Sequence, residues 1–316
     1  MLRAMYTSIT GLRNHQQMLD VTANNIANVN TYGYKSSTVA FKDMLSQTIS
    51  GASGPTGQLG GTNARQVGLG MQVDSITQRH IQGAIQTTGV QTDVAIAGDG
   101  FFRVSADGAN LPASTGAAGG PPAAGGTPPP SVVYQRAGNF QLDAQGDLVT
   151  SDGYYVVGYA EADGDAATAG WQPSGQPDQA NQVRLRLDPA TTRSFSISAD
   201  GEVSRVDTTG TLTTVGFISM SKFANTAGLQ QVGSNKWEET VNSGTPVDGS
   251  ARRAMAGPPP SDFTNTELVS GGLEMSNVDL ATEFTDMIRA QRGFQANSRV
   301  ITTSDEILQE LVNLKR

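Results

Sequence analysis

The sequence has 316 residues, of which 37% are hydrophobic, so it is long and apolar enough for two domains of moderate size. Its net charge is −8, and it contains 37 glycines, two histidines and no cysteine. This composition argues against a nucleic-acid partner, which needs clustered Lys and Arg, and it excludes disulfides, thiol nucleophiles and thiolate metal sites.

No apolar run approaches the ~18 residues that a membrane-spanning helix requires. The N-terminus also lacks the apolar core and small-residue cleavage site of a secretory signal peptide. We therefore expect no membrane insertion, no cleaved signal peptide and no cofactor.

The first 28 residues predict an amphipathic helix. Residues spaced alternately by three and four form an apolar row that only Gln16 interrupts, and its members are Leu2, Met5, Ile9, Leu12, Leu19, Ala23 and Ile26. A row with this spacing is typical of a helix that packs against another helix. Gly11 costs such a helix up to ~1 kcal/mol relative to alanine. His15 lies outside the row, where we expect solvent or a subunit contact rather than a metal ligand.

Residues 29–70 are predicted to form an extended linker. Asn30 and Gly33 favour the end of the first helix because both tolerate the left-handed backbone conformation. Residues 46–70 are rich in Gly, Ser and Thr, which is the composition of a loop that connects domains.

From Met71 the apolar residues occur in short alternating runs separated by turn formers, for example at Val73 and Ile76, at Ile81 and Ile85, and at Phe102 and Val104. This pattern predicts an antiparallel, all-β domain over residues 71–275. Two inserts, residues 105–131 and 161–180, have low complexity and are predicted to be mobile surface loops.

Chemical motifs in this region are weak. Ser219 and Lys222 match the S-x-x-K spacing of acyl-transfer enzymes, but the companion motifs are missing and the serine would not begin a helix. Gly98 and Gly100 lack the third glycine and the following helix of a dinucleotide site. We predict that the protein is not an enzyme.

The last forty residues predict a second long helix. Its apolar row, which polar residues interrupt at three positions, comprises Leu280, Phe284, Met287, Phe294, Ile301, Leu308 and Val312. Ser276, followed by Asp279, resembles a weak capping box at its start. From the pattern alone, a surface helix packed on its own core is as good an account as a helix that pairs with a partner.

Both ends together predict a mixed, segregated α and β fold. Residues 1–28 and 276–316 would form a discontinuous coiled-coil domain, and the β domain would be inserted between them. The apolar side chains of one such pair are too few to offset the backbone entropy of ordering about sixty residues. We therefore expect the ends to order fully only when copies stack side by side.

Three stretches resemble the axial proteins of the bacterial flagellum, the rod and hook family. They are LDVTANNIANVNTYGYK from Leu19, DVAIAGDGFF from Asp93, and the segment from Leu273 to Arg316. Weaker similarity at residues 134–148 and 215–241 extends the resemblance to most of the chain. The resemblance implies a structural subunit whose terminal helices pair as a coiled coil and whose copies stack into a tube.

The resemblance also implies a location and partners. Subunits would leave the cell through the flagellar type III export apparatus and form part of the extracellular hook or basal body. Phe41 and Leu45 match the family's export-gate motif of two large apolar residues four apart; the alternative, that they are packing residues of the linker, does not exclude the export role. Further partners would be other copies of this chain, the rod and hook–filament junction proteins, and the hook cap.

Within the family, AFKDML, VGLGMQV and the terminal LVNLKR are similar to hook members, whereas SFSISADGEVS and the modest length are similar to distal rod members. Many hook members carry a further outer β domain for which this chain has little room. The resemblance implies a subunit of the hook, the flexible joint that transmits torque from rod to filament. The distal rod is the alternative, and a secreted surface adhesin is a remote one.

Overall fold

The computed structural model describes residues 2–55, 60–106, 132–160, 182–249 and 266–314. The chain divides into two compact units. We call them the helical unit, formed by Met1–Val29, Lys35–Arg79 and Val278–Arg316, and the β unit, formed by Asn30–Tyr34 and His80–Asn277.

The helical unit contains both long helices, α1 (Leu2–Ala27) and α2 (Leu280–Asn313). This confirms the two terminal helices of the sequence analysis. The predicted cap of α2 is wrong by three residues: Asp279, and not Ser276, is the N-cap, because its carboxylate accepts hydrogen bonds from Ala281 N at 3.0 Å and from the Thr282 hydroxyl at 2.8 Å. Neither helix, within the residues described, is long and apolar enough to span a membrane.

The helical unit also contains two antiparallel strand pairs. β1 (Ser37–Asp43) pairs with β4 (Met71–Gln78), and β2 (Ser46–Ser50) pairs with β3 (Arg65–Gly68). The second pair lies in the stretch for which composition suggested a loop. Every side chain of β2 and β3 is exposed, so backbone hydrogen bonds rather than an apolar pattern hold these strands together, and the sequence carries no strand signal there.

In its described residues, the β unit contains the remaining strands and one short 3-10 helix, Thr226–Gly228. In chain order the strands are β5 (Ile85–Thr87), β6 (Val94–Ala97), β7 (Phe101–Ser105), β8 (Val132–Gln135), β9 (Phe140–Leu142), β10 (Leu148–Thr150), β11 (Tyr155–Ala160), β12 (Gln182–Arg184), β13 (Thr192–Ile197), β14 (Glu202–Asp207), β15 (Leu212–Ile218), β16 (Met220–Lys222), β17 (Gln230–Gly233), β18 (Lys236–Glu238), β19 (Val247–Gly249), β20 (Glu267–Ser270) and β21 (Gly272–Glu274).

The predicted antiparallel β body is confirmed. Thirteen of these strands form one sheet whose main path runs β13-β14-β15-β11-β7-β8-β18-β17, and β20 pairs with β6 and β21 with β5. Its core includes Val94, Phe102, Phe140 and Ile218, and an aromatic cluster of Phe101, Tyr134, Phe223 and Trp237 packs separately.

The structure departs from the expected strands at one position, and two inserts of the body lie partly or wholly outside the described residues. Ile81 was expected in a strand, yet it lies in residues 79–84, which form none; its carbonyl instead accepts a hydrogen bond from Asn277 Nδ2 at 3.2 Å. The insert at 161–180, and that at 105–131 beyond its first two residues, lie outside the described residues. The domain bounds inferred from composition stay a prediction.

Candidate assembly interface

The two long helices contact each other in the helical unit and run in opposite directions. Three contacts define the pairing: Gly11 meets Asn297, His15 meets Gly293, and Asn25 meets Glu283. Residue numbers rise along α1 as they fall along α2, so the helices are antiparallel. Both chain ends therefore lie at the same end of the helix pair.

Asn25 forms a buried polar node at one end of this pair. It is 1% exposed, and its amide nitrogen donates to Ser37 O at 2.8 Å and to Glu283 Oε1 at 3.1 Å. Its amide oxygen accepts from Ser37 N at 3.0 Å. One side chain thus joins α1, α2 and the first residue of β1, with both of its polar atoms satisfied.

Glycines allow the helices to approach closely further along the pair. A Cβ at Gly11 would lie 2.7 Å from Asn297 Nδ2, and a Cβ at Gly293 would lie 2.6 Å from the His15 ring. The amide of Asn297 also donates to Gly293 O at 3.0 Å, which holds it in this position. At each of these two contacts, the glycine of one helix accommodates a polar side chain of the other.

The predicted apolar rows flank this contact rather than fill it. The most enclosed residues of α1 are small or polar: Ser8, Gly11, Asn14, Thr22 and Asn25. Several row members are partly buried, namely Met5, Leu12, Leu19, Ile26, Met287, Ile301 and Leu308. Others are exposed, namely Ile9, Leu280, Phe284, Phe294 and Val312, and the side chain of Leu2 lies outside the described part. Their role in contacts between copies stays a prediction.

A different side of α1 packs on the β1–β4 strand pair. Asn14 Nδ2 donates to Met71 O at 2.6 Å, and the His15 ring lies 6.3 Å from the ring of Phe41. His15 therefore lies between α2 and β1, at a contact within the chain, instead of facing solvent.

The two candidate export residues differ in their surroundings. Phe41 is half-buried in β1 opposite Val73, whereas the side chain of Leu45 is 83% exposed just after that strand. Phe41 thus has a packing role in the folded chain. This role is compatible with recognition by the export gate, so the export role of Phe41 and Leu45 stays a prediction.

Two carboxyl groups near the start of α2 have altered pKa values of opposite sign. Hydrogen bonds from Thr282 and Ala281 lower the pKa of Asp279, whose charge also suits the positive end of a helix. Burial raises the pKa of Glu283, and the hydrogen bond from Asn25 partly opposes this rise.

A buried ion pair is the main polar feature of the β unit. Arg136 Nε lies 2.8 Å from Glu274 Oε2, with the two side chains 3% and 0% exposed. The guanidinium also donates to the carbonyls of Ile96, Gly98 and Gly100, while Glu274 Oε1 accepts from Gly83 N at 2.7 Å. The pair therefore fastens the turn after β6 and the segment before β5 to β21.

The weak chemical motifs do not assemble into a reactive site. Ser219 is fully buried between β15 and β16, whereas the side chain of Lys222 is partly exposed and its Nζ lies 3.9 Å from Asp99 Oδ2. Gly98 and Gly100 flank the turn between β6 and β7, and their carbonyls accept from Arg136. Among the residues described, no group of three or more His, Asp or Glu side chains could hold a metal ion.

Three family models match the sequence. Residues 5–35 match "Flagella basal body rod protein", residues 127–205 match "Flagellar hook protein FlgE/F/G D1 domain", and residues 269–314 match "Flagellar basal body rod FlgEFG protein C-terminal". The first and last of these matches include most of α1 and all of α2.

Individual relatives match over the whole chain. The flagellar basal-body rod protein FlgG of Bacillus subtilis is 46% identical over 317 residues, covering 100% of both chains. FlgG of Agrobacterium fabrum is 34% identical over 310 residues, covering 97% of each. The flagellar hook protein FlgE of Borreliella burgdorferi is 30% identical over 452 residues, covering 100% of both.

Proposed function

Since the chain belongs to the family of flagellar rod and hook proteins, we propose that it polymerises through its terminal helices. Members of this family are structural and non-enzymatic components. Within the flagellum, we propose that the chain is a subunit of the rod. Copies of the chain would stack around a common axis with contacts that do not close on themselves, which is the geometry that generates a tube.

The exposed apolar side chains of the helices support polymerisation. Ile9, Phe284 and Phe294 are each more than a third exposed, and Ile288 and Leu311 of α2 add to the same kind of surface. Several exposed apolar side chains on one helix support a contact with another protein, because apolar surface of this kind is stabilised by burial. The occupant we propose is the helix pair of a second copy, with the pair acting as a coiled coil.

The length of the alignments supports the rod rather than the hook. The match to the Bacillus subtilis rod protein needs 317 positions for the 316 residues of this chain, so the two correspond almost residue for residue. The match to the Borreliella burgdorferi hook protein extends over 452 positions, so that protein contains a large part without a counterpart here. This residue-for-residue correspondence carries the proposal.

The hook is the second candidate. A hook relative covers the whole chain at 30% identity, and the hook-like stretches AFKDML, VGLGMQV and LVNLKR are all present. In either position the partners we propose are copies of this chain, the adjoining axial proteins and the type III export apparatus. The hook cap and an extracellular location belong to the hook candidate.

Deletion of the gene distinguishes a rod subunit from a hook subunit. Basal bodies isolated from the deletion strain and viewed by electron microscopy should have a truncated rod and no hook. A complete rod that ends without a hook would assign the chain to the hook instead. Normal hook–basal bodies would contradict both candidates.

Export through the Phe41 motif can be tested by replacing Phe41 with alanine. We expect Phe41→Ala subunits to accumulate in the cytoplasm while the purified variant still folds. Val39→Ala is the matched control, because Val39 is a half-buried apolar residue in the same strand. If both variants were exported like the parent chain, Phe41 would have only a packing role.

A further inference from the structure

We propose that the direction and register of the helix pair are determined by three polar and glycine contacts, and not by the apolar rows. The residues are Gly11 with Asn297, His15 with Gly293, and Asn25 with Glu283. All three contacts lie within one chain, so they would act in the same way in a rod subunit and in a hook subunit.

The three contacts agree on a single register. His15 and Asn25 are ten residues apart on α1, and Gly293 and Glu283 are ten residues apart on α2 in the opposite direction. Ten helical residues span about 15 Å, so the two distant contacts are met simultaneously by two straight antiparallel helices. The contact of Gly11 with Asn297 lies a further four residues along each helix, which is about one turn.

An apolar row cannot select one register of the two helices over another. Its pattern repeats every seven residues, so a shift of one heptad would bring equivalent side chains together again. The glycines do not repeat, because Gly11 is the single glycine of α1 and Gly293 is the single glycine of α2. Any shift would therefore place a side chain where His15 or Asn297 now lies.

The polar node adds a chemical penalty to the same shift. Asn25 is held at 1% exposure by Ser37, so its amide cannot turn to another partner without losing hydrogen bonds in a buried position. A shift of α2 along α1 would move the Glu283 carboxylate out of hydrogen-bonding distance of Asn25 Nδ2. Single buried polar groups are known to select register in helix pairs in this way.

Under the proposed function, a fixed register would prepare each subunit for polymerisation. Polymerisation requires every copy to present the same outer surface. If the register is set by contacts inside the pair, the exposed apolar side chains occupy identical positions in each subunit before any contact between subunits forms.

Engineered cysteines can report the register because the natural chain contains none. A Cβ at position 11 would lie 2.9 Å from Asn297 Cγ, which brings the two Cβ positions near the range that a disulfide needs. We compare Gly11→Cys with Asn297→Cys against Ala4→Cys with Asn297→Cys, which would cross-link in a pair shifted by one heptad. The full-length purified chain is oxidised, and the linked peptides are quantified by mass spectrometry.

We expect the first pair to cross-link at least about tenfold faster than the second. Adding Gly293→Leu should slow the first reaction by a similar factor, because the new side chain would overlap the His15 ring. His15→Ala in the same chain should restore the rate. Ala296→Leu, which introduces the same side chain at an exposed position of α2, is the matched control and should have little effect.

Equal cross-linking of the two cysteine pairs would overturn the proposal, and so would a Gly293→Leu variant that reacts like its parent. Failure of His15→Ala to rescue Gly293→Leu would also count against it. None of these outcomes tests whether the chain belongs to the rod or the hook. That question is tested separately by electron microscopy of basal bodies from the deletion strain.

Discussion

Replacing Glu274 with glutamine tests how strongly the buried ion pair stabilises the β unit. The substitution keeps the shape of the side chain and an oxygen for Gly83 N, but it removes the negative charge 2.8 Å from Arg136 Nε. The guanidinium of Arg136 would then be buried, at 3% exposure, without a counter-charge.

The expected cost follows from this burial. Removing one partner of a buried pair typically costs about 3–5 kcal/mol, since the remaining charge stays desolvated. The three carbonyls of Ile96, Gly98 and Gly100 keep Arg136 in place, so it cannot relieve the cost by turning to solvent. A total stability of about 5–15 kcal/mol is normal for a domain, so the variant should lose a large part of it.

Urea unfolding followed by the fluorescence of buried Trp237 measures this change. Glu267→Gln is the matched control, because Glu267 is an exposed carboxylate on β20 and its loss should change the free energy of unfolding by no more than about 0.5 kcal/mol. Arg136→Met combined with Glu274→Gln should recover part of the loss, because it removes the unpaired charge; the recovery is incomplete because three hydrogen bonds to carbonyls are also lost.

An unfolding midpoint of Glu274→Gln that matches the control would refute this reasoning. It would mean that the Arg136 charge reaches water or another partner at little cost. A double variant that is much less stable than either single variant would point instead to carbonyl capping as the main role of Arg136.

Three further substitutions test the helix start and a tight glycine. Because its pKa is lowered, ionised Asp279 stabilises the folded chain at neutral pH, and this stabilisation is lost as the pH falls through the lowered pKa. Asp279→Ala should remove this acid dependence. It should also speed amide exchange in the first turn of α2, because the N-cap is lost. The pKa of Glu283 is raised by burial, so the helix pair should lose stability as the pH rises above the ordinary glutamate value of about 4.5. Circular dichroism should show no such loss in Glu283→Gln. Gly138→Ala should destabilise the β unit by about 1–3 kcal/mol because its Cβ would lie 1.7 Å from Val94 O, whereas Gly68→Ala, with open space around it, should not change thermal unfolding.

The period of the apolar residues was sufficient to predict both helices and the antiparallel body. Leu280 to Val312 repeats with helical spacing and contains no proline, and the runs around Val94, Phe102 and Ile218 are short and bounded by turn formers. These signals depend only on the spacing of neighbouring residues, so they can be interpreted without knowing which surface packs against each element.

The face on which the helices meet could not be predicted in the same way. Periodicity identifies the most apolar face, but the contact between α1 and α2 uses small and polar residues such as Gly11, Asn25 and Asn297. The available signal was Gly11, an unfavourable residue in a helix interior, which indicates a close approach of another chain segment. The Arg136 and Glu274 pair was missed because its members lie 138 residues apart and neither belongs to a local motif.

The segments that enter and leave the β unit are bonded to each other, and this determines the order in which the chain can fold. Gly33 N donates to Glu274 O at 2.8 Å, and Asn277 N donates to Tyr34 O at 3.4 Å. Asn25 and Glu283 are 258 residues apart, and closing so long a loop directly carries a large entropic cost. Once the β unit has folded, only residues 28–29 and 278–279 separate the two helices from it in the sequence, which raises the effective concentration of α1 for α2. The helix pair should therefore form last. A first-order rate that does not depend on protein concentration would support this order, whereas a rate that rises with concentration would support the expectation from the sequence that the ends order fully only when copies stack.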